Sequence, residues 1–192
     1  TGEQFEVRSP IDRDILVGTF LKGGGKEARD AFRAAREAFP DWSLRSWKER
    51  TAIIRKTADR LEEDRYLLAA LITLEVGKNR FEAVAEMGEA VDMLRYHADT
   101  FERNRGYTVE MEPEAPGARG LSVMRPHGTW AVISPFNFPV DLAAGMAGAA
   151  LLTGNTVVLK PASAAPLTGL RLYGAFVEGG VPPGAVNYVT GP

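Results

Sequence analysis

The chain contains no cysteine among its 192 residues. Disulfides, thiolate metal sites and a thiol nucleophile supplied by this chain are therefore excluded. Histidine is scarce too. His97 and His127 lie far apart without ligand-like spacing, so no metal site is expected. Neither sign of charge is in surplus: the formal net charge is −2 with acidic and basic residues interspersed, which suits neither a nucleic-acid groove nor an anionic membrane surface. The longest near-apolar run, Leu142 to Leu152, falls well short of the ~20 residues a membrane span requires. No basic-then-apolar secretory pattern opens the chain. The expectation is a soluble, cytoplasmic protein whose partners are neither nucleic acid nor membrane. A hydrophobic content of 45% with 25% charged residues allows an ordinary buried core.

Two nucleotide-binding signatures are missing as well. Gly23-Gly24-Gly25-Lys26 looks like part of a phosphate loop, but Phe20 stands where the first glycine should be and Glu27 where the hydroxyl should be. These glycines read as a flexible joint. No G-x-G-x-x-G follows the apolar run ending at Ile133, so a cofactor held there must be held without the usual pyrophosphate turn.

What is present is a sequence of elements. Phe5 to Val7 and Ile15 to Phe20 read as extended, around a Ser9-Pro10 turn. Ala28, Phe32, Ala35 and Phe39 recur at helical spacing, with Pro40 expected to end that helix. A longer helix from Trp47 carries Ile54, Ala58, Leu61, Leu68, Leu71 and Ile72 on one stripe and stops at Gly77. A third runs from Arg80 to Arg103 with Phe81, Val84, Met87, Val91, Leu94, Ala98 and Phe101 facing inward. After it, Gly106 to Met111 and Arg119 to Arg125 alternate as strands joined by a Pro/Gly turn. Such a hairpin has little core of its own and gains stability by packing on another domain or subunit.

From Gly128 the pattern is βαβαβ: strand 130–133, helix 139–152, strand 156–159, helix 167–178, strand 185–189. The expected fold class is α/β: N-terminal helices plus half of a doubly wound, Rossmann-like parallel sheet, with a β-hairpin oligomerisation arm. The divisions are residues 1–105, 106–126 and 127–192. The last strand meets Thr190-Gly191-Pro192 with no covering helix after it, so the sequence reads as the N-terminal part of something longer.

Open α/β sheets bind ligands at the carboxyl ends of their strands. Two polar features fall there: the Ser134-Pro135-Phe136-Asn137 corner and Lys160, which Pro161 follows. Ile133 and Phe136 offer apolar surface, the Ser134 backbone can come close to a ligand, and the Lys160 ammonium can reach a ribose or phosphate. Each has a plainer reading. Asn137 is then only a turn residue or helix cap, and Lys160 only a solvated strand end.

These residues resemble the NAD(P)-dependent aldehyde dehydrogenases. The resemblance rests on Ser134-Pro135-Phe136-Asn137-Phe138-Pro139, on Gly154-Asn155-Thr156-Val157-Val158-Leu159-Lys160-Pro161, and on Gly180-Val181-Pro182-Pro183-Gly184-Ala185-Val186-Asn187, in order and at matching spacing. With Ala38 to Ser43 it covers nearly the whole chain. Glu75-Val76-Gly77-Lys78-Asn79 and Glu89-Ala90-Val91-Asp92 look most like the pyrroline-5-carboxylate (glutamate semialdehyde) dehydrogenase branch.

The resemblance implies roles. Asn137 matches the amide that stabilises the oxyanion. Ile133, Ser134, Pro135 and Phe136 match the nicotinamide side of an NAD or NADP site, and Lys160 the adenosine ribose contact. Phe138 and Leu142 would line the aldehyde tunnel, and Glu89 matches an acidic residue near a substrate amino group, though it also reads as solvated helix surface. Ser163 stands where many NAD-preferring relatives carry a ribose-binding Glu, which implies a weakened NAD preference. The family's cysteine nucleophile and glutamate base match nothing in this chain, so the 192 residues alone are expected to show no turnover. The implied partners are a small aldehyde and, in the full-length protein, further copies of itself. The competing reading is a non-catalytic nucleotide-binding or assembly module.

Overall fold

A computed structural model describes residues 2–191. Strands β1 (Gln4–Arg8) and β2 (Leu16–Leu21) form an antiparallel hairpin. Helix α1 (Gly25–Leu44) follows directly, with Gly24 as its N-cap and the Glu27 side chain accepting from the Gly24 N–H at 2.9 Å. The glycine run is thus a hairpin-to-helix joint. Pro40 does not end α1, which continues to Leu44. The proline removes one backbone donor on an exposed face, and beyond it Trp42 is fully buried and donates from Nε1 to the Leu151 carbonyl at 3.2 Å. Only Ala35 and Trp42 of α1 are buried; Ala28 and Phe32 of the expected stripe are exposed.

The long helix expected after Trp47 is two. Helix α2 (Trp47–Glu63) ends at Asp64, and α3 (Arg65–Val76) starts immediately after it. Ser46 and Glu49 form a reciprocal capping box at the start of α2. Of the stripe, Ile54, Ala58, Leu61, Leu68 and Ile72 are buried, and Leu71 is half-buried. Gly77 ends α3 in the left-handed conformation at φ 76°. Asn79 then caps α4 (Arg80–Arg103), its side chain accepting from the Glu82 N–H at 3.0 Å. Met87, Val91, Leu94, Ala98 and Phe101 face the core, whereas Phe81 in the first turn is 84% exposed.

Strands β3 (Thr108–Met111) and β4 (Gly120–Val123) make the second antiparallel hairpin. Val109, Met111, Leu121 and Val123 on it are exposed.

The remaining chain is the parallel unit: β5 (Thr129–Ile133), α5 (Asp141–Leu152), β6 (Thr156–Lys160), α6 (Pro166–Gly179) and β7 (Val186–Tyr188), in sheet order β5-β6-β7. One hydrophobic core runs from Trp42 and Ile54 through Leu94 and Leu151 to Leu172 and Val186, so the helices before residue 105 and the sheet after residue 127 share an interior.

Helix α5 is the centre of that core. Its small residues let α4 approach closely. A Cβ on Gly148 would stand 2.2 Å from the Leu94 side chain. Both ends of α5 are held from a distance. At its C-terminus Arg50, itself buried, donates from Nε to the Leu152 carbonyl at 2.9 Å, beside the Trp42 bond to Leu151.

Candidate functional site

The register pairs Ile133 with Lys160 as the last residues of β5 and β6, so the two features singled out in the sequence lie side by side at the carboxyl edge. Ile133 is 65% exposed and Phe136 58% exposed; Asn137 is exposed and Lys160 half-buried. The Lys160 ammonium donates to the Pro161 carbonyl at 3.1 Å.

At Ser134 the structure commits the backbone N–H to the sheet. The residue is buried, and its backbone N–H donates to the Lys160 carbonyl at 3.2 Å, which lengthens the β5–β6 ladder by one bond. That N–H is spent on the sheet and is not offered to a ligand. The hydroxyl Oγ is buried with no hydrogen-bond partner among the described residues. Ser163, exposed on the loop after β6, donates from its hydroxyl to the Gly191 carbonyl at 2.8 Å.

Helix α5 begins at Asp141, two residues after the expected start, and its N-cap residue is Val140, which has no capping side chain. Asn137 is therefore not the cap of this helix. The capping role is taken by Glu86 of α4, whose side chain is fully buried. Its Oε1 accepts from the Val140 N–H at 2.9 Å and the Asp141 N–H at 3.4 Å. The positive end of the helix dipole favours that carboxylate. Its other oxygen accepts from the Lys78 ammonium at 2.6 Å, and the same ammonium sits 3.5 Å from the centroid of the Phe138 ring.

The next helix repeats the device. Glu75, 2% exposed, accepts from the Leu167 N–H at 2.7 Å, from the Thr168 N–H at 2.8 Å and from the Thr168 hydroxyl at 2.7 Å. Burial raises its carboxyl above the ordinary value, and these three hydrogen bonds oppose the rise. Glu75 to Asn79 is thus a structural hub: one residue holds the start of α6, Gly77 turns the chain, Lys78 secures Glu86, and Asn79 starts α4.

Asp141 is buried at the head of α5. Desolvation first, then the Glu86 charge, pushes its carboxyl up to about 6; Glu89 adds to the rise, while the Leu142 N–H and Lys78 oppose it. Glu89 itself is exposed on α4, and Phe138 and Leu142 are 38% and 40% exposed around the corner. The sequence reading missed Glu86, Lys78 and Asp141. The available signal was that a Pro139-Val140 helix entry offers no capping side chain, so another group had to supply one.

Among the described residues no cluster of His, Cys, Asp or Glu could hold a metal ion, and no helix is long and apolar enough to cross a membrane.

The carboxyl edge of this parallel sheet carries an exposed amide, a lysine and exposed apolar residues, and it is at such edges that open α/β sheets bind ligands. The aldehyde dehydrogenase family profile matches residues 1–192, and the chain belongs to that family. It is 38% identical over its full length to a 1-pyrroline-5-carboxylate dehydrogenase of Bacillus pumilus, of which it covers 37%. A 1-pyrroline-5-carboxylate dehydrogenase from Thermus with bound NAD superposes with a TM-score of 0.94 at 37% identity, over 100% of this chain and 37% of that one. An NADP-dependent glyceraldehyde-3-phosphate dehydrogenase from Bacillus halodurans, complexed with NADP, superposes with a TM-score of 0.92 at 33% identity, over 100% of this chain and 40% of that one. The chain thus spans well under half the length of these relatives.

Proposed function

We propose that this chain supplies the oxyanion donor and one wall of the nicotinamide site of an NAD(P)-dependent aldehyde dehydrogenase, acting on an amino-bearing aldehyde such as glutamate semialdehyde. The observation that carries the reading is the position of Asn137. It is exposed at the strand edge on a corner whose helix is capped by Glu86, so its amide is free of the structural duty an Asn there usually has. A carboxamide N–H donating to the developing oxyanion lowers the barrier by roughly 3–4 kcal/mol.

When bound, NAD or NADP supplies the hydride acceptor. The exposed Ile133 and Phe136, with Pro135, fit an apolar wall beside it. Ser134 supports that wall through the sheet, and its side-chain hydroxyl is buried without a hydrogen-bond partner among the described residues. Lys160 and Ser163 suit the adenosine ribose. Phe138 and Leu142 would face the aldehyde, and Glu89, whose charge reaches Asp141 at the head of α5, would attract its amino group. With no cysteine in the chain, the nucleophile of this reading is not among these 192 residues.

In this reading residues 1–105 belong with the cofactor sheet of 127–192, and residues 106–126 form an arm that packs its exposed apolar face on another copy of the protein. Residence in the cytoplasm belongs to the same reading. The test is Asn137→Ala in the native protein. The expected result is a 10²–10³-fold fall in kcat with little change in cofactor affinity. A kcat within threefold of the unmodified protein would overturn the assignment.

A further inference from the structure

The corner that carries Asn137 has few supports of its own. Pro139 brings no N–H, Val140 has no capping side chain, and Asn137 and Phe138 are both exposed. Val140 is buried in the core, and the polar contacts that fix this corner against the body of the protein come from the Glu86–Lys78 pair. Glu86 grips the two amides at the head of α5, three and four residues after Asn137. Lys78 neutralises Glu86 and lies against the Phe138 ring, immediately after Asn137. Both side chains are almost entirely removed from solvent, at 9% and 0% exposure, so the contacts act at low dielectric and are not screened.

We propose that Glu86 and Lys78 are positioning residues for Asn137. They fix the 137–141 backbone against α4, and with it the place of the amide relative to the reacting carbonyl. The proposal rests on the reading of Asn137 as the oxyanion donor. Preorganised donors lose effect over small displacements, because the hydrogen bond must meet the oxyanion and not the ground-state oxygen. Glu86→Gln keeps one acceptor for Val140 but turns an amide donor toward the Lys78 ammonium. One of the two contacts must then give.

A double-mutant cycle on the native protein separates positioning from general structure. Glu86→Gln alone is expected to lower kcat about tenfold and to change KM for the aldehyde less than twofold. In an Asn137→Ala background the same substitution is expected to cost less than twofold, since the group it positions is gone. Equal losses in both backgrounds would overturn the proposal, as would a loss confined to KM. If Asn137→Ala by itself leaves kcat unchanged, it is the oxyanion reading that fails, and with it this one. Should Glu86→Gln not fold, Lys78→Gln takes its place. That variant leaves the Glu86 cap while releasing Phe138, and a three- to fivefold loss of kcat, again silent without Asn137, is expected. Lys78→Arg, which keeps the charge, should recover most of the activity; no recovery together with additive losses would also refute the proposal.

Discussion

Glu75 and Thr168, 93 residues apart, share two hydrogen bonds across a buried interface: the Thr168 N–H and its hydroxyl both donate to the same carboxylate oxygen, at 2.8 and 2.7 Å. The other oxygen takes the Leu167 N–H. One side chain on α3 thus satisfies the start of α6 and fixes where that helix leaves the sheet edge. Glu75→Ala leaves buried donors without partners, each costing about 1–3 kcal/mol. The expected loss is ~3 kcal/mol of unfolding free energy, measured by urea denaturation. Thr168→Val should lose less, ~1 kcal/mol, because the backbone bonds survive. A Glu75→Ala chain as stable as the original would remove the capping role.

Asp141 provides a pH dependence whose sign is determined. Its folded carboxyl is raised from the ordinary 3.8 to about 6 by burial and by Glu86. A raised group stabilises the fold fully below its unfolded value, and that contribution is lost as pH rises through the folded value. Stability from Asp141 should therefore decline between about pH 4 and pH 6. Asp141→Asn removes the decline. After allowance for partial solvent screening, the variant is expected to be more stable by on the order of 1–2 kcal/mol at pH 7.5 and indistinguishable below pH 4. Thermal melts of both chains across that range are sufficient. A variant less stable at pH 7.5 would show that the Leu142 contact outweighs the buried charge.

Ser163 is the position at which cofactor choice should turn. A serine hydroxyl engaged with the Gly191 carbonyl offers a 2′-phosphate no like charge to oppose it. Ser163→Glu introduces that charge and two acceptors for ribose hydroxyls. In the native protein NADP binding is expected to weaken at least tenfold relative to NAD. Isothermal titration with each cofactor reads the ratio directly. Equal weakening of both, or tighter NADP, would place Ser163 outside the ribose site.

The parts of this structure legible in the sequence were those with local causes. Of the expected stripe, Ile54, Ala58, Leu61, Leu68 and Ile72 are buried as the periodicity requires and Leu71 is half-buried; the parallel strands and the Gly77 stop stand where their residue types put them. Periodicity does not say where a neighbouring element ends, so Phe81 continues the α4 stripe yet lies open to solvent. It also does not outrank burial: Pro40 is a local stop signal, but Trp42 beyond it is carried into the core and the helix goes on. The placement of the candidate residues divides in the same way. Asn137 and Lys160 lie at the strand-end corner and strand end where the sequence puts them. Glu86 reaches the head of α5 only through tertiary contacts across more than 50 residues, and Lys78 meets it across the turn between α3 and α4, so no helical spacing rule joins the three.

The packing of α5 on α4 gives a final pair of substitutions with opposite signs. Glycine within a helix costs ~1 kcal/mol relative to alanine, so Gly→Ala should stabilise wherever a methyl group fits. Gly174 in α6 has nothing within 4 Å of the position its Cβ would take, and Gly174→Ala is expected to raise stability by up to ~1 kcal/mol. At Gly148 the same change places a carbon 2.2 Å from the Leu94 Cδ2, and Leu94 is itself fully buried. Leu94 must leave its rotamer or α5 must move out, at about 1–3 kcal/mol for overpacking. That equals or exceeds the propensity gain, so Gly148→Ala should be destabilising by up to ~2 kcal/mol. If α5 moves out, the Val140 amide is drawn from Glu86. Faster hydrogen exchange at the amides of residues 140–142 should then accompany the loss, while Gly174→Ala leaves those amides as they were. A stabilised Gly148→Ala chain would mean that α4 and α5 pack less closely than the structure has them.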